Sequence, residues 1–315
     1  MELQVNGHAT FCYTGGKPFD AAKPTLVFIH GALNDHSVWI LQARYFAHHG
    51  WNVLALDLPG HCRSAGAPPK TVEEAADFVL ALMGAAGLKR AALVGHSFGS
   101  LIALHVAGQA SERVSRRAAP KANSAEVRST QAVEVNRRAA PKANSAEVRS
   151  TQAVEVTHLA LLGAAFPMRV TPALLDASLN APQKGIEMTN IFSHALMAPP
   201  PSGLGPGTWV AGASRALMRR VLASNREVNV FHTIFVACNN YEDGLKQIAK
   251  VLCPIRFILG NGDNMAHPKA AQPLIDAASA AGKSSVVRVP GGHQMMSESP
   301  EEVLRALIDF LPSAT

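Results

Sequence analysis

Three side chains, far apart in the chain, have the types and settings that nucleophilic acyl transfer requires. Ser97 sits in Gly95-His96-Ser97-Phe98-Gly99, Asp263 follows Gly260-Asn261-Gly262, and His293 follows Pro290-Gly291-Gly292. A serine hydroxyl is a weak nucleophile; it needs a base beside it, and the base needs an acid to orient it. The order Ser, Asp, His is the one expected when the nucleophile lies in a Gly-x-Ser-x-Gly turn. The flanks of the pentapeptide carry more weight than the pentapeptide itself. Ala91–Val94 reads as a buried strand and Ser100–Ala107 as a helix, so Ser97 must occupy a sharp strand-to-helix turn. Such a crossing leaves no space for a side chain at Gly95 or Gly99. The helix that follows aims its first amides at the serine, where negative charge develops during acyl transfer.

The elements that must position these groups follow one rhythm. Apolar runs at Thr25–Ile29, Asn52–Leu56, Leu159–Leu162, Ile255–Leu259 and Val286–Val289 alternate with helical patterns at Ser37–His48, from Thr71 to Met83, at Pro268–Ala281 and at Glu301–Leu311. Thr71-Val72-Glu73-Glu74 has the form of a capping box. This alternation predicts an α/β fold, a doubly wound and mostly parallel sheet, with Leu3–Tyr13 as an early antiparallel strand. In such a sheet the carboxyl ends of the parallel strands share one edge, so Ser97, Asp263 and His293 are expected together there. The rhythm stops between Phe166 and Val251. Thr171-Pro172 opens one helix, and further helical runs cover Val210–Ala223 and Glu227–Val251. The expected organisation is a core in two parts, 1–164 and 252–315, with an inserted helical cap over 165–251.

The chain has 315 residues and a formal charge of +6, which invites a nucleic-acid reading. The location of the charge removes that reading. Ser115–Val135 is repeated as Asn136–Val156 with one change, and the two copies supply +4 of the +6. With no aromatic, Leu, Ile or Met residue, the duplicated segment has little to bury and is expected to be a disordered insertion between the helix after Ser97 and the strand Leu159–Leu162. Lengthening that loop from about 4 to about 46 residues costs about 2 kcal/mol in closure entropy, which a domain of this size tolerates. Cys12, Cys62, Cys238 and Cys253 are scattered and read as reduced thiols. No His/Cys/Asp cluster has metal-ligand spacing and no Gly-x-Gly-x-x-Gly follows a strand, so neither metal nor other cofactor is expected. No apolar run is long enough to span a membrane and Met1-Glu2-Leu3-Gln4 lacks the features of a signal peptide, so a cytoplasmic protein without nucleic-acid or membrane partners is expected.

Four stretches together resemble the α/β-hydrolase superfamily, in particular its serine esterases with a helical cap: Phe28-Ile29-His30-Gly31-Ala32, Asp57-Leu58-Pro59-Gly60-His61-Cys62-Arg63-Ser64, the Ser97 turn, and the Asp263 and His293 loops. The resemblance covers essentially everything outside 115–156. It implies a triad of Ser97, Asp263 and His293, and an oxyanion hole made by the amide of Ala32 (or of its neighbour Leu33) and that of Phe98. It also implies scaffold roles for His30, His96 and Asp57. Cys62 stands where relatives usually carry glycine, and His267 where many carry a proline. Leu33, Phe166 and Met295 are candidate pocket residues for a small, fairly apolar acyl substrate, and Phe166, Met168, Ile191, Phe192, Met197, Trp209, Met218 and Phe235 are the cap side chains of which some are expected to roof it and most to be core. Relatives with the same triad cleave esters, carbon–carbon bonds, lactones or amides, or make peracids. Others serve as ligand receptors with vestigial turnover, and an inactive member is a further reading.

Overall fold

Runs of apolar residues that alternate with nothing polar can only be strands covered on both faces, and the core strands have that character. In a computed structural model, which describes residues 1–20, 22–118, 154–197 and 208–314, β3 (Thr25–Ile29) and β4 (Asn52–Leu56) are buried at every position. With β1 (Glu2–Val5), β2 (His8–Tyr13), β5 (Arg90–His96), β6 (Glu155–Leu162), β7 (Ile255–Gly260) and β8 (Ser284–Val289) they form one sheet of order β1-β2-β4-β3-β5-β6-β7-β8. All pairings from β4 through β8 are parallel; β1 with β2 and β2 with β4 are antiparallel.

Helices α1 (Ile40–His48) and α11 (Pro300–Ile308) cover one face of the sheet, packing Phe46, Val303 and Leu307 against Phe28, Val94 and Ile258. Helices α2 (Val72–Ala85), α3 (Phe98–Ala118) and α9 (Gln272–Ser279) cover the other, with Leu82, Leu101 and Leu274 against Val27, Leu93 and Phe257. Two covered faces are what the doubly wound reading requires. The short α10 spans Met295–Glu298.

Between β6 and β7 lie α4 (Pro172–Asn180), α5 (Pro182–Ser193), α6 (Val210–Ser224), α7 (Val230–Asn240) and α8 (Gly244–Ile248). The first four share an apolar cluster of their own, including Leu174, Ile186, Met218, Val221, Val230, Phe231 and Phe235. Burying each such side chain contributes about 1.5–3 kcal/mol, enough for the cap to hold a defined shape.

Local differences from expectation have local causes. Leu3–Tyr13 is two strands, because Asn6 and Gly7 take φ of 50° and 82° and turn the chain back as a tight hairpin. The helix expected over Glu227–Val251 starts at Val230, where the Asn229 side chain accepts from the His232 amide, and breaks at Tyr241-Glu242-Asp243 before α8. Thr71 caps α2 by accepting from the Glu74 amide at 3.1 Å, but the Glu74 carboxylate reaches the amide of Lys70 rather than that of Thr71.

The duplicated segment was expected to be loop from Ser115 to Val156. Instead its first four residues, Ser115–Ala118, complete α3, and Glu155 and Val156 pair with Arg90 and Ala91 in the sheet. The register slips after that pair, so that Ala92 faces His158 and Thr157 is passed over. The irregularity falls at the junction between the second copy and the strand. The expected disorder of the segment concerns residues that lie mainly outside the described ones.

Candidate active site

β5 ends at His96, α3 begins at Phe98, and Ser97 between them has φ of +54°. A side chain on Gly95 would place its Cβ 2.1 Å from the Gly99 oxygen, and one on Gly99 would lie 2.3 Å from the Ile29 oxygen. Both glycines are therefore required by the crossing, as the pentapeptide implied. The Ser97 amide donates to the Leu162 oxygen at 2.9 Å, which fixes the turn to the neighbouring strand. A strained backbone of this kind persists only where its surroundings hold it.

The loops that carry Asp263 and His293 extend β7 and β8 and are joined to each other. The Gly262 amide donates to the Gly291 oxygen at 2.8 Å, and a Cβ on Gly260 would lie 2.4 Å from the Gly292 oxygen. His293 Nδ1 lies 2.8 Å from Asp263 Oδ2, with both residues almost fully buried. Because that partner is a carboxylate, Nδ1 carries a proton, and in the neutral ring the lone pair is then on Nε2. Asp263 Oδ1 is occupied separately, accepting from the amides of Met265 at 3.0 Å and Ala266 at 2.7 Å. Glu298 braces the base loop, taking the Gly292 amide at 2.7 Å on one oxygen and the Ala195 amide at 3.0 Å on the other. Gly163, at the end of β6, has φ of +56°, and a Cβ there would lie 3.0 Å from the His293 ring.

Three further histidines are buried around these groups. His30 Nδ1 donates to the Gly31 oxygen at 2.9 Å while Nε2 accepts from the Leu58 amide at 3.1 Å. Both nitrogens are thus committed to backbone, and burial pushes the His30 pKa down, keeping the ring neutral. His96 is driven well down by burial and then by its neighbour His293. His61 is pushed down to about 4, first by burial and then by His30. Asp57 accepts from the amides of His36 at 2.8 Å and Arg63 at 3.2 Å, a scaffold arrangement as the resemblance implied.

Ser97 and His293 border a cavity of about 170 Å³ that Ala32 also lines. Its roof comes from the cap: Met168, Val170, Leu174, Phe192, Phe235 and Cys238. Among the described residues, neither the Ala32 nor the Phe98 amide donates to a protein acceptor. A larger groove of about 590 Å³, lined by Trp51, Lys89, Arg90 and His158, lies at the opposite edge of the sheet, remote from Ser97. The smaller cavity is the one that Ser97 and His293 border.

A family model described as the alpha/beta hydrolase fold matches residues 24–300. The chain belongs to that family. Among curated proteins, the dihydrolipoyllysine-residue acetyltransferase component of the acetoin cleaving system of Pseudomonas putida is 40% identical over 90 residues, 28% of this chain and 24% of that protein. The match thus spans about a quarter of that relative's length. Among solved structures, the enol-lactonase from Burkholderia xenovorans LB400 superposes with a TM-score of 0.70 at 18% identity, covering 98% of this chain and 99% of the other. An esterase from Exiguobacterium antarcticum gives 0.69 at 15% identity, with 98% of each chain covered. At such identities the likeness is one of fold.

Within this family fold, the three expected pocket residues need correction. Leu33 turns its side chain into the cap cluster, Phe166 packs at the edge of Tyr241 and against Gly244, and Met295 is buried beneath the sheet with Trp39 and Val303. None of the three lines the cavity. Val170, Leu174, Cys238 and Met265 do; for Leu174 and Cys238 the face that looks down depends on how α4 and α7 are seated, and Val170 and Met265 lie in connections whose path no local pattern fixes. Of the eight cap side chains expected to supply a roof, Met168, Phe192 and Phe235 line it, and Phe166, Ile191, Met197, Trp209 and Met218 do not.

Cys62 takes φ of +44°, the left-handed conformation that explains glycine at this place in relatives. His267 caps the turn that follows it, accepting from the Lys269 amide at 3.2 Å. Side chains with metal-binding atoms converge in two places without any sequence spacing to announce them: Asp35, His36 and Asp57, and Glu73, His105 and Asp243. In the first, Arg220 and Ser37 occupy Asp35 and His36 occupies Asp57. In the second, His105 Nδ1 meets the Tyr241 hydroxyl at 3.1 Å. Among the described residues, no helix is long and apolar enough to cross a membrane.

Proposed function

We propose that this chain is a serine hydrolase that cleaves a small, fairly apolar ester or related acyl substrate through an acyl-enzyme. Ser97 is the nucleophile, His293 the base, Asp263 the orienting acid, and the amides of Ala32 and Phe98 form the oxyanion hole. The observation that supports this reading is the meeting of a left-handed Ser97, His293 and Ala32 on one cavity, with His293 paired to the buried Asp263 and, among the described residues, the Ala32 and Phe98 amides without a protein acceptor.

Each step follows from those positions. His293 Nε2 takes the Ser97 proton as Oγ adds to the substrate carbonyl, and Asp263 stabilises the imidazolium without itself being protonated. The negative charge on the former carbonyl oxygen falls between the two amides and the amino end of α3. His293 then protonates the leaving alcohol, and a water activated by the same nitrogen releases the acid. A cavity of about 170 Å³ is close to the size that holds a single benzene ring, so the acyl group is short.

Labelling with a fluorophosphonate, read by intact mass, tests the reading. The wild-type protein is expected to gain one adduct and Ser97→Ala none. A p-nitrophenyl ester series is expected to peak at short acyl chains. Folded wild-type protein without a Ser97-dependent adduct overturns the proposal; labelling without ester turnover favours a ligand receptor, and labelling with turnover confined to another bond type moves the substrate class.

A further inference from the structure

Leu33 belongs to two parts of the molecule. Its backbone follows Ala32 in the turn after β3, with φ of +53°. Its side chain is 1% exposed and packs in the cap cluster with Ile186, Met218, Val221 and Phe231. Glycine is the residue suited to this conformation, and a leucine persists in it only where its surroundings over-determine it. Here the surroundings include the cap. Two residues on, Asp35 accepts from Arg220 of α6 at 2.7 Å, and the same guanidinium reaches Ser37 Oγ at 3.3 Å. One turn further along α6, Ser224 holds the next core loop, its Oγ accepting from the Cys62 amide at 2.9 Å.

We propose that Leu33 is a positioning residue: anchored in the cap core and backed by the Asp35–Arg220 pair, it holds the Ala32 amide at the angle an oxyanion requires. The cap then contributes to the chemical step as well as to the choice of substrate. This inference rests on the serine hydrolase reading. Leu33 touches no reacting atom; it acts through the backbone of its neighbour.

The test compares Leu33→Gly with Val221→Ala, using p-nitrophenyl butyrate, a trifluoromethyl ketone that forms an oxyanion adduct, and melting temperature. Leu33→Gly eases the backbone conformation and removes only the anchor. Val221→Ala opens the same cap cluster without touching the turn. Leu33→Gly is expected to lose roughly 30-fold or more in kcat with little change in KM, because a displaced oxyanion donor is felt in the transition state. Affinity for the ketone should fall in parallel. Leu33→Met should recover most of both, and Val221→Ala should keep kcat within about twofold at a comparable loss of melting temperature. Should Leu33→Gly fail to fold, Arg220→Gln takes its place, since that side chain is 60% exposed; a several-fold loss of kcat at constant KM is expected. Equal kcat losses in Leu33→Gly and Val221→Ala, or wild-type kcat in Leu33→Gly, overturn this inference alone. A wild-type protein that neither labels at Ser97 nor turns over the ester overturns the hydrolase reading and this inference with it.

Discussion

His96 Nε2 donates to the backbone carbonyl of His293 at 2.8 Å, and the two rings lie 4.7 Å apart. The residue before Ser97 therefore holds the backbone of His293, and this bond ties the turn at Ser97 to the loop at His293. Burial keeps His96 neutral, and its Nδ1 has no partner, which leaves the donated bond as the ring's polar contact.

Replacing that ring by one of similar size without a donor isolates the bond. His96→Phe leaves the His293 carbonyl unpaired in a buried setting, a loss of about 1–3 kcal/mol. Expressed as displacement of the base, this lowers kcat by about 10- to 100-fold with KM little changed. Steady-state kinetics on a short-chain ester provide the check, and an unchanged kcat would show that the bond has no part in positioning the base.

Asp263 divides its two oxygens between two jobs, and Asp263→Asn separates them. The amide oxygen can keep the contacts to Met265 and Ala266, while the amide nitrogen faces His293 Nδ1. A donor there forces the proton onto Nε2, the nitrogen that must accept from Ser97. The expected outcome is a folded protein with kcat reduced by about 10⁴-fold. Near-normal turnover would mean that Asp263 is not the orienting acid.

The sheet, and the placement of Ser97, Asp263 and His293 in the turns after its strands, were legible in the sequence for one reason: local patterns determine them. Buried parallel strands such as β5 and β7 are nearly continuous apolar runs, and Ser97, Asp263 and His293 each stand within a few residues of a strand end in a glycine-containing turn. Where the residues were misassigned, the deciding contact lies far away in sequence. Leu33 looks like a pocket residue from its place beside Ala32, yet its left-handed backbone swings the side chain up to Met218 and Val221. Met295 adjoins His293 but rides on α10, whose inner face meets Trp39. Gly163 contacts His293 from the end of β6, and nothing in its neighbours announced that. The Asn6-Gly7 hairpin, by contrast, carried a local signal that the alternating pattern overrode.

The buried histidines make stability depend on pH in a definite direction. The folded-state pKa of His61 is about 4 against an ordinary 6.5, so the unfolded chain binds a proton in this window and the folded chain does not. Its contribution is complete above pH 6.5 and is lost as the pH falls toward 4, a change of about 3 kcal/mol for His61 alone. His30 and His96, also lowered by burial, act in the same sense. Burial opposes ionisation of Asp35, but Ser37 and Arg220 outweigh it and hold the carboxyl below the usual carboxylate range, so its contribution survives this window. Melting temperature should fall steadily from pH 7 to pH 4.5, and His61→Asn should flatten the slope. A profile level across that range would contradict the argument.

The duplicated segment offers a sharper test of how the chain tolerates it. The structure uses Ser115–Ala118 of the first copy to finish α3 and Glu155 and Val156 of the second to begin β6, with Val156 and the preceding Val154 both buried. One copy contains both pieces, since Val133-Glu134-Val135 is identical to Val154-Glu155-Val156. Deleting residues 136–156 therefore preserves the helix end and the strand start, and shortens the connection from about 36 to about 15 residues. Loop closure then favours the shorter chain by about 0.8 kcal/mol, a rise of roughly 1–3 °C in melting temperature. Because the connection joins the amino end of β6, at the edge opposite Ser97, ester turnover should stay within about twofold of the full chain. A deletion variant that folds with lower stability, or folds normally and loses turnover, would show that the second copy does more than lengthen the connection.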